Sequence, residues 1–211
     1  MSLPDFLINK YIDWKENIFQ KKQDLYEDLE KKGQRPKAMI VSCCDSRVDA
    51  NQIFAANPGD FFIHRNVANL IPDLNVNNEN HEITSSIDFA ILTLRISRII
   101  ILGHSSCGGI DYAFNKFSDE INNEGDSSIN KWIQSVKSSY DKVDKSQSKV
   151  DAIKSLEKES IVNSIKNLKN YKKINKLIVE NKLHIHGLFF EISTGKITQY
   201  NESSKKFELI Y

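Results

Sequence analysis

Long apolar runs, surplus charge and paired cysteines are all missing from this 211-residue sequence. The longest unbroken aliphatic stretch, residues 99–102, falls far short of the ~20 apolar residues that a membrane helix needs, so no membrane partner is expected. Lys and Arg number 29 against 28 Asp and Glu, a net charge of +1, which removes any broad electrostatic case for nucleic acid or anionic lipid. Specificity has to reside in a local site. Three cysteines, two of them adjacent, suit a disulfide scaffold poorly and thiolate chemistry in a reducing compartment better. The opening residues MSLPDFLINKYIDWKENIF place charges among their apolar positions from Asp5 onward and contain no uninterrupted signal-peptide core. The expected location is cytoplasmic. Internal repeats and strong linkers are also lacking, and the length suits one domain with a core large enough to need no disulfide or metal for the fold itself.

What is present alternates between strand and helix patterns. Over residues 3–29, Phe6, Leu7, Ile8, Tyr11, Ile12, Phe19 and Leu25 recur at mostly helical offsets before the breaker Gly33, which predicts an amphipathic helix. AMIVSC (38–43) has the length and composition of a buried strand. FFIHR (61–65) follows a turn at 57–60 and reads as a second strand. Ile83, Ile87, Ala90, Ile91 and Leu94 form a helical stripe over 80–95 that leads into RIIILGH (98–104), the most strand-like segment. Residues 116–160 are polar, with Trp132, Ile133 and Val136 as one short apolar patch, and read as exposed loop and surface helix. A further helix is expected over 157–180, then a strand pair at 183–192 and 196–200 joined through Ser193, Thr194 and Gly195. The fold class is therefore α/β: a mainly parallel central β-sheet with flanking helices and a C-terminal edge hairpin, in a single domain, with its ligand site beyond the carboxyl ends of the strands.

Two such ends carry the chemistry. SCCDSR (42–47) and GHSSCGG (103–109) supply thiolates, an imidazole, a carboxylate and a guanidinium between them. Adjacent strands lie ~4.8 Å apart, so groups at neighbouring carboxyl ends can meet on one ion however distant in sequence. His104-x-x-Cys107 bends over one turn, as two ligands to one metal must. Cys together with His favours zinc over magnesium or calcium. One cysteine of the first cluster with His104 and Cys107 makes three ligands and leaves a position open, the count of a catalytic zinc rather than a structural one. Asp45 stands beside this set as a fourth ligand or a hydrogen-bond partner. The competing reading is that these are buried free thiols acting as small hydrophobes. Gly108 and Gly109, after a strand, suit either a tight turn or the opening of a helix whose first N–H groups face an anion. His184 and His186 alternate along one strand and read as a structural pair rather than a metal pair; His64 reads as structural and His81 as a surface residue.

At these residues the chain resembles the β-class carbonic anhydrases. The family's C-x-D-S-R motif is met by Cys43, Asp45, Ser46 and Arg47, and its H-x-x-C-G-G motif by His104, Cys107, Gly108 and Gly109. The similarity extends through PGDFFIHRNVAN (58–69), SSIDFAILTL (85–94) and HGLFFEISTGKI (186–197). The resemblance implies zinc-dependent, reversible hydration of carbon dioxide to bicarbonate and a proton by zinc-bound hydroxide, with one Zn2+ per subunit on Cys43, His104 and Cys107. Asp45 is implied to orient the zinc-bound water, Arg47 to keep Asp45 ionised, and Gln34 to bind substrate across a dimer interface. Phe62, Val67, Phe89 and Gly108 are implied to line the substrate pocket. Residues 1–33 then form a helical arm and 34–211 the catalytic core of a homodimer or larger assembly.

The members that close the site by moving the Asp onto zinc carry Trp and Gly where this chain has Ile40 and Ser42. The expectation is therefore the open, plant-like form without bicarbonate regulation, although Val48 and Arg65 match positions shared with the regulated kind. Phe89 replaces the open subgroup's usual Tyr, and Thr93 stands where certain members have a proton-shuttling histidine. Rival readings are hydrolysis of carbonyl sulfide or carbon disulfide on the same site, and a non-catalytic structural-zinc or redox module. Within SCCDSR, strand alternation puts Cys43 and Asp45 on one face and turns Cys44 away, and the family spacing selects Cys43 as well.

Overall fold

The computed structural model describes residues 2–73, 82–118 and 127–211; His81 and the stretch around it lie outside these. The helices are α1 (Asp5–Trp14), α2 (Gln23–Lys32), α3 (Ala50–Ile53), α4 (Glu82–Asp88), α5 (Gly108–Phe117), α6 (Ser128–Ile133), α7 (Lys137–Tyr140), α8 (Lys149–Asn170) and α9 (Lys172–Val179). The strands are β1 (Ala38–Cys43), β2 (Phe61–Asn66), β3 (Arg98–His104), β4 (His184–Phe190), β5 (Ile197–Asn201) and β6 (Lys206–Leu209).

They form one sheet in the order β2-β1-β3-β4-β5-β6, parallel from β2 to β4 and antiparallel beyond. The α/β sheet expected from the alternating patterns is present. The C-terminal hairpin is there too, but β5 is not its edge: β6, not anticipated from the sequence, pairs outside it. KFEL is short and half charged, so it carries no strand signal of its own; pairing to β5 supplies it.

Both sheet faces are covered. Met39, Val41, Ile99 and Ile101 point to one side and pack with Ile83 and Ile87 of α4 and Ile161, Ile165 and Leu168 of α8. Ile40, Leu102 and Leu188 point to the other, where Val48 and Ala50 lie with half-buried Ile53, Phe54, Ile63 and Ile100. Because β1 and β3 bury both faces, they read as continuous apolar runs rather than alternating ones.

Residues 116–160 depart from expectation. Far from being exposed throughout, α5, α6, α7 and α8 enclose a second core in which Ile133, Val136, Tyr140, Val143, Ala152 and Leu156 are buried around Cys43 and Cys107. The apolar residues there recur about once per turn among Ser and Lys, too sparsely to stand out as a stripe. A Val, Leu or Ile among them is nonetheless worth ~1.5–3 kcal/mol once fully buried. The expected helix over 157–180 begins earlier, at Lys149 behind the N-cap Ser148, whose hydroxyl accepts the Asp151 N–H. It breaks at Tyr171 (φ −70°, ψ 118°) before α9.

The N-terminal helix forms but is not continuous. A π turn (Lys15–Phe19) and a 3-10 turn (Gln20–Lys22) separate α1 from α2, and Lys22 leaves helical geometry at φ −124°, ψ 12°. No residue of α1 or α2 is buried within the single chain. The arm is anchored where Lys22 donates to the Asn57 side chain at 3.0 Å and Leu29 fills the space above Gly59, whose φ of 89° no side chain readily adopts.

Candidate metal centre

Parallel register brings the ligands together. Ser42 pairs with Leu102, so Cys43 ends β1 level with Gly103, next to His104 at the end of β3. After His104 the chain turns through Ser105 and Ser106, the latter at φ 56°, and delivers Cys107 to the N-terminus of α5. The Cys43, His104 and Cys107 ligand atoms all lie within 4.8 Å of one another, and all three residues are buried. Their positions agree with the sequence reading, and Cys44, exposed, is turned away from them.

The geometry fits a zinc ion. The two sulfurs are 3.9 Å apart, and two thiolates each about 2.3 Å from a tetrahedral ion stand ~3.8 Å apart. His104 Nδ1 lies 2.9 Å from the Ser105 carbonyl oxygen. A carbonyl can only accept, so Nδ1 carries the proton. His104 Nε2 is then a lone-pair nitrogen, buried and without a hydrogen-bond partner among the described residues, an orphan that a metal would satisfy. A His ligand oriented through its other nitrogen is the usual outer arrangement of zinc sites.

The electrostatics agree. The Cys107 thiol beside it, working against burial, and His104 pull the Cys43 pKa down. Cys107 is pushed up by the same sulfur contact and by burial; a metal held there would take both sulfurs as thiolates and release a proton. The Gly109 and Ile110 N–H groups at the start of α5 favour a thiolate at Cys107. Burial opposes charge on His104, but the Cys43 sulfur and the Ser105 carbonyl outweigh it and raise its pKa.

Asp45 is outside the three-ligand cluster. Its Oδ1 accepts from Arg47 N and Nε at 2.9 Å each, and its Oδ2 from Arg47 Nη2 at 2.7 Å. These bonds hold the carboxyl well below the usual carboxylate range. Arg47 Nη2 also donates to the Ser106 carbonyl at 2.9 Å, tying the first motif to the second. Arg65 works on the loop from the other side: Nε donates to the Cys43 carbonyl at 3.0 Å, and Nη2 to the Asp45 and Val48 carbonyls at 2.8 and 2.9 Å.

The pocket residues divide. Val67 packs beside Gly109, where an added Cβ would meet Val67 Cγ1 at 2.7 Å, and the neighbouring Ala68 N–H faces the Cys43 sulfur. Val67 and Gly108 therefore border the centre. Phe62 pairs with Met39, four strand positions and so ~13 Å from the level of Cys43. It packs against Phe89 in a tilted arrangement with ring centres 5.7 Å apart, and Phe89 is 44% exposed. Gln34 is exposed on the segment between α2 and β1. A single chain does not bring Phe62, Phe89 or Gln34 to the ligands. Of the other histidines, His184 is exposed and His186 half-buried, and neither joins the cluster.

One buried charge went unread in the sequence. Glu157, 3% exposed, accepts the Cys107 N–H on Oε1 at 2.8 Å. Burial pushes its pKa up, and the Cys107 N–H pulls it back. Within LEKES it stands between Leu156 and Lys158 like a solvated helix residue, and only its four-residue spacing from Ile161 and Ile165 places it on the buried side.

Comparison with known proteins gives the same answer as the site. Residues 38–197 match the carbonic anhydrase family. Beta carbonic anhydrase 6, mitochondrial, of Arabidopsis thaliana is 33% identical over 178 residues, covering 82% of this chain and 59% of that protein; the chain thus spans little more than half of that relative's length. A carbonic anhydrase of Helicobacter pylori strain J99 is 31% identical over 203 residues, covering 94% of this chain and 91% of that protein. Among solved structures, the β-carbonic anhydrase CcaA superposes with a TM-score of 0.90 at 27% identity, covering 98% of this chain and 92% of that one. One of two tetrameric β-carbonic anhydrases of Sordaria macrospora gives 0.76 at 25% identity, covering 92% and 95%. The chain belongs to the carbonic anhydrase family, in its β class.

Proposed function

We propose that this protein catalyses the reversible hydration of carbon dioxide to bicarbonate and a proton, with one Zn2+ per subunit held by Cys43, His104 and Cys107. The observation that carries this reading is the convergence of two sulfurs and an orphaned imidazole nitrogen within 4.8 Å, beside a carboxylate that Arg47 keeps to itself. Zn2+, when bound there, supplies the Lewis acidity that makes a water molecule nucleophilic near neutral pH.

The chain's residues do the rest. Asp45, ionised and fixed in direction by Arg47, accepts a hydrogen bond from the attacking water and orients its lone pair. Arg47, by also holding the Ser106 carbonyl, keeps that carboxylate in register with the turn that carries Cys107. Val67 supplies an apolar wall for carbon dioxide, with Gly108 leaving room beside it.

Phe62, Phe89 and Gln34 act in this reading from a second copy of the chain. The arm 1–33 with exposed Phe6 and Tyr11 and the half-buried Ile63 and Ile100 of the second sheet face support an assembly in which the core 34–211 is completed by its partner. A reducing compartment, the cytoplasm, suits three free cysteines.

Stopped-flow hydration with zinc quantitation tests the proposal. Catalysis well above buffer, rising from pH 6 to 9, is expected with one zinc per chain. Stoichiometric zinc without carbon dioxide hydration overturns it, and parallel assays with carbonyl sulfide and carbon disulfide then identify the substrate.

A further inference from the structure

Glu157 is a buried carboxylate that no step of the proposed reaction uses. It reaches the metal centre because of how α8 seats on the sheet. Glu157, Ile161 and Ile165 lie one turn apart along one side of that helix. Ile161 fits against Gly103, where an added Cβ would stand 2.6 Å from Ile161 Cδ1. The helix thus packs directly on β3 at the residue before His104. One turn nearer its N-terminus it delivers the Glu157 carboxylate to the residue that follows the turn.

That turn is tied at four other polar groups. Ser105 N donates to the Phe190 carbonyl at 2.9 Å, and Ser105 Oγ accepts from Ile192 N at 2.9 Å. The Ser105 carbonyl takes His104 Nδ1, and the Ser106 carbonyl takes Arg47. Cys107 is 1% exposed, so water cannot serve its N–H. The Glu157 oxygen at 2.8 Å does.

We propose that Glu157 is a positioning residue of the metal centre: its side-chain oxygen fixes the backbone of Cys107 and thereby holds Cys107 Sγ at ligand distance from Cys43 and His104. This rests on reading those three residues as the zinc ligands. The bond, not the charge, is the working element. Gln keeps an acceptor oxygen at the same reach, Asp keeps the charge but is one methylene too short, and Leu keeps neither.

Zinc affinity of the full chain is measured by competition with a chromogenic chelator for wild type, Glu157→Gln, Glu157→Asp and Glu157→Leu. Ligand-field spectra of the cobalt-loaded proteins and melting midpoints of the metal-free proteins are recorded alongside. Loss of an outer partner of a metal ligand weakens metal binding roughly 10–100-fold. Glu157→Asp and Glu157→Leu are expected to show a loss of that size with altered cobalt spectra, and Glu157→Gln to match wild type. If Leu prevents folding, the Gln and Asp pair carries the comparison.

Equal zinc affinity and equal spectra in all variants, with only the metal-free midpoints lowered, overturn the proposal in favour of a structural role. A loss in Gln as large as in Asp overturns it too. Failure of the wild-type protein to take up stoichiometric zinc defeats the reading of the ligands themselves, an outcome distinct from either.

Discussion

The Asp45 carboxylate is gripped by Arg47 through Nε at 2.9 Å and Nη2 at 2.7 Å, and the same Nη2 reaches the Ser106 carbonyl at 2.9 Å. One guanidinium therefore orients the acid of the first motif and braces the turn of the second. A bidentate Arg–carboxylate pair is directional as well as charged, which is why the carboxylate here is committed to Arg47 rather than to the ligand cluster.

Arg47→Ala releases both contacts while leaving all three ligands in place. Carbon dioxide hydration is expected to fall on the order of 100-fold, the scale of a misplaced catalytic group, with zinc content unchanged. Asp45→Asn is expected to behave likewise. Stopped-flow rates and metal analysis on the same samples check this, and full activity in either variant refutes the assigned roles.

The neighbouring cysteines are separated by burial. Cys43 is 5% exposed within the second core, whereas Cys44 faces outward. Cys43→Ser should therefore strip the protein of zinc and of activity, while Cys44→Ser should keep one zinc per chain. Metal analysis after gel filtration decides, and the reverse pattern would exchange their roles.

Gly103 is the contact point of β3 with α8. Gly103→Ala places a methyl against Ile161, which is fully buried. Overpacking of this kind costs ~1–3 kcal/mol, to be read as a lowered urea midpoint. Ile161→Val in the same chain should recover part of the loss, and no recovery would show that the steric account is wrong.

His64 sets a pH dependence of stability. Its Nδ1 is 3.1 Å from Ser86 Oγ, whose own proton goes to the Glu82 carbonyl, so Nδ1 donates. Burial lowers its pKa below the ordinary 6.5, with Glu82 pulling weakly the other way. The unfolded chain then binds more protons than the folded one as pH falls, so this contribution is complete above ~6.5 and is lost through the lowered folded pKa. Half-buried His186 shifts in the same direction. Urea midpoints are expected to decline from pH 7.5 to pH 5, and His64→Gln should flatten that slope; an identical slope in the variant removes His64 from the explanation.

Legibility followed the range of the interactions. AMIVSC and RIIILGH announce themselves as buried strands because both faces of the sheet are covered at those positions. The casing around the ligands did not. Ile133, Val136, Tyr140 and Leu156 are single apolar residues in a polar stretch, and they become core because α5 and α8 pack there. Tyr171 breaks the expected helix by leaving helical geometry, without Gly or Pro to signal it.

The sequence by itself determined the chemistry of the site: two thiolates, an imidazole, and an Asp and Arg two residues apart, whose pairing is a local matter of one turn. Tertiary structure alone decided the rest. The parallel register of β1 and β3 brought Cys43 beside His104 across sixty residues of chain. The Ser105 carbonyl chose the His104 tautomer, and the close seating of α8 on Gly103 placed Glu157 behind Cys107. Separation along β2 kept Phe62 and Phe89 away from the ligands of their own chain. These are contacts between surfaces that meet only after folding.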